Sequence, residues 1–272
     1  MFLEKHKLAV IGAGRIGESV IAGLLDAKAI HPESIIATAR SAPRLERLKT
    51  QYGIRTTSDN LAAVKDADLV IIAVKPQVVA DVLPLIKSGL TPNHLLISVA
   101  ASVTTALFER GLDGPVPVVR AMPNTPCYVK TGMTGVCGGK HATADQLELT
   151  KRIFQAIGRC VVVEERHMDA VTGLSASGPA FIYMVIESLA EAGVKVGLPR
   201  AIATELAAQT VLGSAQMVLT TGEHPAQLKD QVTTPAGCTI DGILELEEGG
   251  LRVTLIKGVV RAVRRASELV NH

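Results

Sequence analysis

The sequence predicts an α/β N-terminal half built on a doubly wound parallel sheet, followed by an all-α C-terminal domain. Three observations carry this expectation. Short apolar runs alternate with helical segments as far as residue 163, the pattern of a parallel sheet covered by helices. Runs such as 69–74 are apolar at every position, as strands buried on both faces are. Beyond residue 167 strand texture vanishes and only helical patterning remains.

The first strand, 8–11, leads directly into Ile11-Gly12-Ala13-Gly14-Arg15-Ile16-Gly17. A G-x-G-x-x-G spacing after a strand and before a helical pattern, here 18–29, is that of a Rossmann dinucleotide-binding turn. In such a turn the first glycine makes the tight bend and the second admits the backbone to a pyrophosphate. The third lets the helix pack closely on the sheet. The helix start then presents unpaired N–H groups and partial positive charge to the phosphates. The second strand, 34–39, runs out into Ala39-Arg40-Ser41 with no acid to hold a ribose diol. A guanidinium beside a hydroxyl suits a 2′-phosphate, because arginine meets phosphate oxygens in a fork. The expected cofactor is NADPH, with NADH as the alternative. In the other reading, Arg40 merely begins a solvated segment.

Residues 43–52 read as a helix and 54–57 as a short extended stretch, and Asp59-Asn60 reads as the cap of a helix over 61–65. The strand 69–74 stops at Lys75-Pro76. Ligands of open α/β sheets sit outside the carboxyl ends of strands, so Ala73, Val74, Lys75 and Pro76 are expected to face the cofactor. A helix over 78–88 precedes the strand 95–100, whose end, Ala100-Ala101-Ser102, carries small side chains that permit close approach. The strand 116–122 is broken by Pro123-Asn124-Thr125-Pro126, which either lines a substrate pocket or serves as a turn. A strand over 133–137, an amphipathic helix over 144–157 and a last strand over 160–163 complete the sheet. The charged run 164–167 marks the boundary, giving a dinucleotide-binding domain over 1–164 and a helical domain over 165–272.

Candidate helices of the second half are 168–174, 179–192, 199–220, 224–231, 239–247 and 251–270. Pro179 and Pro199 sit where helix starts tolerate proline. The helix from 199 is apolar nearly all the way round, and such a helix is buried on every side. About a hundred residues of helix do not enclose it alone, so a second subunit is expected to share this core. Two loops of small residues interrupt the helices, Leu174-Ser-Ala-Ser-Gly-Pro179 and Thr233-Thr-Pro-Ala-Gly-Cys-Thr239. The second opens a helix, where free N–H groups of Gly237, Cys238 and Thr239 would suit a small carboxylate; the alternative for each loop is an ordinary capped turn.

Composition excludes several classes. Hydrophobic residues make up 47% of the chain while aromatics make up 3%, with no Trp, so aliphatic side chains must fill the core. A net charge of +2 argues against a nucleic-acid footprint. The cysteines, Cys127, Cys137, Cys160 and Cys238, have neither metal-ligand spacing nor a disulfide pattern, so no metal is expected. No apolar run reads as long enough to span a bilayer, and the N-terminal residues leave no room for a signal peptide. A cytoplasmic protein is expected.

The string 228–248, Leu-Lys-Asp-Gln-Val-Thr-Thr-Pro-Ala-Gly-Cys-Thr-Ile-Asp-Gly-Ile-Leu-Glu-Leu-Glu-Glu, resembles the C-terminal signature of the pyrroline-5-carboxylate reductases. Leu174-Ser-Ala-Ser-Gly-Pro-Ala180, Ala73-Val-Lys-Pro76 and Met122-Pro-Asn-Thr-Pro126 are similar to further motifs of that family, in order and at family-like distances. The resemblance implies reduction of L-1-pyrroline-5-carboxylate to L-proline with NADPH or NADH, the last step of proline synthesis. It also implies a Rossmann domain joined to a helical dimerisation domain, with dimers assembling into a decamer. By position it gives Ile11 to Gly17, Asn60, Ala73 to Pro76, Ala100 and Ala101 to the dinucleotide, which replaces the capping reading of Asn60. Thr234, Gly237, Cys238 and Thr239 fall to the substrate, with the Thr239 hydroxyl near the ring nitrogen as the catalytic assignment. Ala236 and Ala176 stand where many members have glycine, a departure that bears on substrate preference and not on the activity.

Reducing a C=N bond needs a hydride on carbon and a proton on nitrogen. A cyclic imine protonates readily, so no strong protein acid is required, and neither small-residue loop contains His, Lys or Glu. Holding the ring in place is the main contribution, and positioning is worth up to ~7–11 kcal/mol in favourable cases. A β-hydroxyacid dehydrogenase, which shares the domain order, would carry a catalytic lysine just beyond a glycine-rich loop, and residues 178–194 contain none. A non-catalytic NADP(H)-binding sensor is the rival from another class.

Overall fold

The structure, a computed structural model, describes residues 2–268. One eight-stranded sheet has the order 3-2-1-4-5-6-7-8. Its strands are β1 (Leu8–Ile11), β2 (Ile35–Thr38), β3 (Arg55–Thr57), β4 (Leu69–Ile72), β5 (Leu95–Ser98), β6 (Val118–Met122), β7 (Gly132–Gly138) and β8 (Gly158–Val162). The covering helices are α1 (Arg15–Asp26), α2 (Ala42–Tyr52), α3 (Asn60–Lys65), α4 (Pro76–Ile86), α5 (Thr105–Gly111) and α6 (Ala144–Gln155).

β1 pairs in parallel with β2 on one side and β4 on the other, so sheet growth reverses at β1 and a crevice opens at the carboxyl ends there. Side-chain alternation sorts the strands onto two faces. Leu8, Val10, Leu69 and Ile71 join a core with Val20, Leu24 and Phe154. Ala9, Ile11, Val70 and Ile72 join another with Val64, Ile86 and Phe108.

Several features depart from the sequence reading. β6 and β7 are antiparallel, and β8 follows β7 in parallel, so the last two strands run against the first six. The β6–β7 connection is short, holding only a 3-10 turn (Thr125–Val129), and a parallel neighbour needs a crossover of a dozen or more residues. α5 was not expected at all. It is seven residues long and starts where the Thr104 hydroxyl accepts the Leu107 N–H at 3.2 Å. Helix α1 begins at Arg15, one turn ahead of the predicted 18, and β4 and β5 end at Ile72 and Ser98, before Ala73 and Val99.

The chain divides into two compact units, one reaching Ser177 and taking in the chain end from Ala262, the other Gly178–Arg261. The first unit thus takes in α7 (Met168–Val171) and the π-helical turn Thr172–Ala176. A methyl on Gly135 of β7 would lie 2.8 Å from Val171, and one on Gly173 would lie 2.8 Å from the Val263 amide.

The second unit contains α8 (Gly178–Lys195), α9 (Arg200–Thr221), α10 (Pro225–Val232) and α11 (Cys238–Glu248). α12 (Leu251–Glu268) is the last described helix; the predicted end at Val270 lies outside the described residues. α8 and α9 meet through Ala190, Ala203 and Ala207, flanked by Ile186 and Val194. The rest of the apolar surface is open: Met184, Leu206, Leu212, Leu244 and Ile256 are all about half exposed or more. The helical run Glu165–Lys195 has a window of mean hydropathy 1.2 and is long and apolar enough, by length and composition, to cross a membrane. That overturns the expectation that no such run exists.

Candidate active site

The glycine turn has the geometry its spacing implies. Gly12 has φ +76°, a left-handed conformation, and a side chain there would collide with Val74. Gly14 faces open space, since a Cβ would meet nothing nearer than the Gly12 carbonyl at 3.8 Å. A methyl on Gly17 would press on Val10 at 2.9 Å and Ala73 at 3.1 Å, which is the close packing of helix on sheet. The Gly12 amide donates to Thr38 Oγ1 at 3.0 Å and the Ala13 amide to the Thr38 carbonyl at 2.7 Å, fixing the turn to the end of β2. The amides of Arg15, Ile16 and Gly17, at the start of α1, have no backbone acceptor among the described residues. The cradle fits a pyrophosphate: room over Gly14 and unengaged donors beside it.

Ala73, Val74, Lys75 and Pro76 form the loop from β4, the neighbour of β1, into α4, and Ala100 and Ala101 follow β5, the next strand over, all at the carboxyl ends of the strands. Asp59 caps α3, its carboxylate accepting the Ala62 N–H at 3.0 Å. Asn60 is therefore not the cap, and its side chain makes no hydrogen bond among the described residues. Arg40 and Ser41 are exposed between β2 and α2, and the Ser41 hydroxyl makes no capping bond to its own helix.

A buried ionic cluster beside this turn was missed by sequence reasoning. Glu18 is 5% exposed, and its carboxylate accepts from Arg44 at 2.7 Å, Arg47 at 2.6 Å and Tyr52 at 3.1 Å. The Arg47 hydrogen bond holds the Glu18 carboxyl below its usual range against the opposing effect of burial. Burial and the Glu18 charge push the Tyr52 hydroxyl up to about 12. Arg44 also donates from Nε to the Ala13 carbonyl at 2.7 Å. One signal was available. An arginine in the first turn of α2 opposes the helix dipole, so it needs a partner elsewhere.

Asn124, in the proline-bounded loop, braces rather than lines. Its Nδ2 donates to the Ser175 carbonyl at 3.1 Å and its Oδ1 accepts the Met133 N–H at 2.9 Å. Arg120, 2% exposed, lies against Asp169 at 3.4 Å and Glu165 at 3.8 Å. Glu165 in turn accepts the Thr105 amide at 2.7 Å and hydroxyl at 2.6 Å, so α5 helps seat the segment carrying Ser175.

In the helical unit, Thr234, Gly237, Cys238 and Thr239 share one turn at the start of α11. The Gly237 amide is not free, contrary to the sequence reading. It donates to the Thr234 carbonyl at 3.0 Å and closes the turn. The amides of Cys238, Thr239 and Ile240 have no backbone acceptor among the described residues. Ala236 adopts φ +57°, and a methyl on Gly237 would collide with Thr234 Oγ1. Cys238 is exposed, while Cys127, Cys137 and Cys160 are buried. Burial raises all three buried thiols, Cys137 and Cys160 to about 12.

Two family profiles match the chain. Residues 7–102 match "NADP oxidoreductase coenzyme F420-dependent", and residues 165–269 match "Pyrroline-5-carboxylate reductase dimerisation". A pyrroline-5-carboxylate reductase of Methanosarcina acetivorans is 45% identical over 267 residues, covering 98% of this chain and 99% of its own. The chain belongs to the pyrroline-5-carboxylate reductase family. The structure of a family member from Coxiella burnetii superposes with a TM-score of 0.91 at 39% identity, over 97% of this chain and 98% of the other. One from Plasmodium falciparum, with NADP bound, gives 0.88 at 31% identity over 98% and 99%. In reductase terms, the open apolar helices of the second unit, and the whole run Glu165–Lys195, fall within the dimerisation profile, so subunit contact accounts for them.

Proposed function

We propose that this chain reduces L-1-pyrroline-5-carboxylate to L-proline with NAD(P)H. Near-complete coverage of a curated reductase at 45% identity carries the reading. The glycine turn supports it, with its open approach at Gly14 and its unengaged amides at 15–17.

When bound, the dinucleotide supplies the hydride. The amides of Arg15, Ile16 and Gly17 hold its pyrophosphate, while Ala73–Pro76, Ala100, Ala101 and Asn60 line its path, and Arg40 with Ser41 meets a 2′-phosphate. The start of α11 holds the substrate carboxylate through the Cys238, Thr239 and Ile240 amides, where the helix dipole favours an anion. Thr234 and Gly237 shape that turn. The Thr239 hydroxyl orients the ring nitrogen by hydrogen bond, and the imine arrives protonated or draws its proton from water. We assign residues 1–164 to dinucleotide binding and 165–272 to dimerisation and substrate binding. Dimers assemble further into a decamer. The location is cytoplasmic, a setting that suits four free thiols.

Mixing the protein with the imine and either NADPH or NADH, then following loss of absorbance and formation of proline, tests the activity. No proline from either cofactor would leave a dinucleotide-binding protein that is not this enzyme. Thr239→Ala is expected to lower turnover by about 10²-fold. Wild-type turnover and substrate affinity in that variant would remove the role of Thr239.

A further inference from the structure

The ionic cluster around Glu18 carries more positive charge than the carboxylate at its centre. Both Glu18 oxygens are engaged, one by Arg44 and Arg47 and the other by Tyr52, although a single guanidinium would neutralise it. Arg44 and Arg47 also line a cavity of about 400 Å³, to which Arg15 adds a third guanidinium. Against these three positive charges the lining sets only Glu18, a surplus of two. The Arg15 side chain is exposed and makes no hydrogen bond or ion pair among the described residues. The other two arginines are held in place yet keep spare donors. Arg44 is anchored at Nε to the Ala13 carbonyl and at Nη2 to Glu18, both at 2.7 Å, and Arg47 at Nη1 to Gln51 at 2.7 Å and at Nη2 to Glu18 at 2.6 Å. Arg44 Nη1 and Arg47 Nε have no hydrogen bond among the described residues. Tyr128, on the 3-10 turn Thr125–Val129 and 68% exposed, lines this cavity and an adjoining one of about 210 Å³. Of the residues given to the dinucleotide, only Arg15 and Ile16 of the glycine turn border the larger cavity.

We propose that this cavity is a separate anion site, which takes a phosphate monoester with a small organic body. A phosphate monoester carries about −1.5 to −2 charge at pH 7, close to the surplus of the lining. Its three free oxygens accept from three guanidinium groups at once, where a carboxylate offers two, and such charge-assisted bonds are among the stronger polar contacts. Donors fixed before the ligand arrives lower the ordering cost of binding. Ile16 and the Tyr128 ring supply apolar surface for the body of the ester. Two accounts compete. In one, the arginines only brace α2 against α1 through Glu18, and a brace binds no anion. In the other, the cavity belongs to the pyrophosphate of the dinucleotide, so a protein already loaded with NADPH has no room for a further phosphate.

The test titrates the full chain by calorimetry with phenyl phosphate, inorganic phosphate and succinate, before and after saturation with NADPH and L-proline, which fill the other proposed anion sites. Phenyl phosphate is expected to bind the loaded protein one to one, about 3-fold or more tighter than inorganic phosphate. Arg47→Leu, which leaves Glu18 with Arg44 and Tyr52, is expected to weaken both phosphates by about 10-fold and NADPH by less than about 3-fold. Arg47→Lys, the milder change that keeps the charge without the fork, is expected to recover part of that loss. Tyr128→Ala leaves the ionic cluster intact, so it reads the cavity even if Arg47→Leu fails to fold. It is expected to abolish the advantage of phenyl phosphate and to leave inorganic phosphate unchanged. Binding that disappears on loading would give the cavity to the dinucleotide, and no binding in either state would leave a brace. Undiminished binding in Arg47→Leu would place the anion elsewhere, an advantage retained in Tyr128→Ala would remove the organic body, and succinate as tight as phenyl phosphate would remove the phosphate class. Each of these overturns the proposal. Wild-type protein that takes phenyl phosphate but not NADPH would instead sink the reading of the glycine turn and leave this one standing.

Discussion

At the scale of single residues, the start of α11 sets two neighbours in opposite situations. Ala236 is held at φ +57°, where an L-residue's Cβ crowds its own backbone at a cost of about 1–2 kcal/mol. Glycine would relieve that crowding but would enlarge the freedom of the unfolded chain, which returns about 0.4–1 kcal/mol. Ala236→Gly is therefore expected to stabilise the protein by about 1 kcal/mol or less, read as a higher urea midpoint with turnover retained. A lower midpoint would mean that the methyl makes a contact worth more than its strain. Gly237 allows no such exchange, because Thr234 occupies the space its side chain would need. Its sequence signal was clear, yet the same closeness takes up the amide that sequence reasoning had left for the substrate.

At the scale of elements, α1 and α2 are joined by a carboxylate that stays ionised. The Glu18 pKa is lowered in the folded protein, first by the Arg47 hydrogen bond, so the folded state binds this proton less readily than the unfolded chain. Its contribution is thus complete above the ordinary carboxylate range and is lost as pH falls through the lowered value. Glu18→Gln is expected to destabilise the protein at pH 7 and to shrink the loss of stability on going to acid. Parallel stability profiles for the two proteins would show that the cluster is not what titrates. Most elements were legible because strand and helix leave different apolar periods, and the turn Gly12–Gly17 carries its chemistry in its spacing. What escaped was set by partners distant in sequence. α5 is too short to show a period, the direction of β7 depends on what lies between it and β6, and Glu18 becomes a centre only when α2 is laid beside α1. Asp59 and Asn60 could not be told apart as caps until Ala62 N–H was seen on Asp59.

At the scale of the whole molecule, the helical unit buries little beyond a seam of alanines and leaves large aliphatic side chains open. A second copy of the chain is the cover the dimerisation match supplies. Sedimentation is expected to give at least twice the 28.6 kDa of one chain, and the melting temperature is expected to rise with protein concentration, as mass action requires. A 28.6 kDa species whose melting is indifferent to concentration would contradict both. The sulfur atoms show how unevenly this architecture meets its surroundings. Three are sealed in the sheet half with their protons held fast, and only Cys238 reaches solvent, on the loop proposed to receive the ring acid. Oxidants and alkylating electrophiles therefore find the one exposed thiol among the described residues on the loop proposed to receive the substrate.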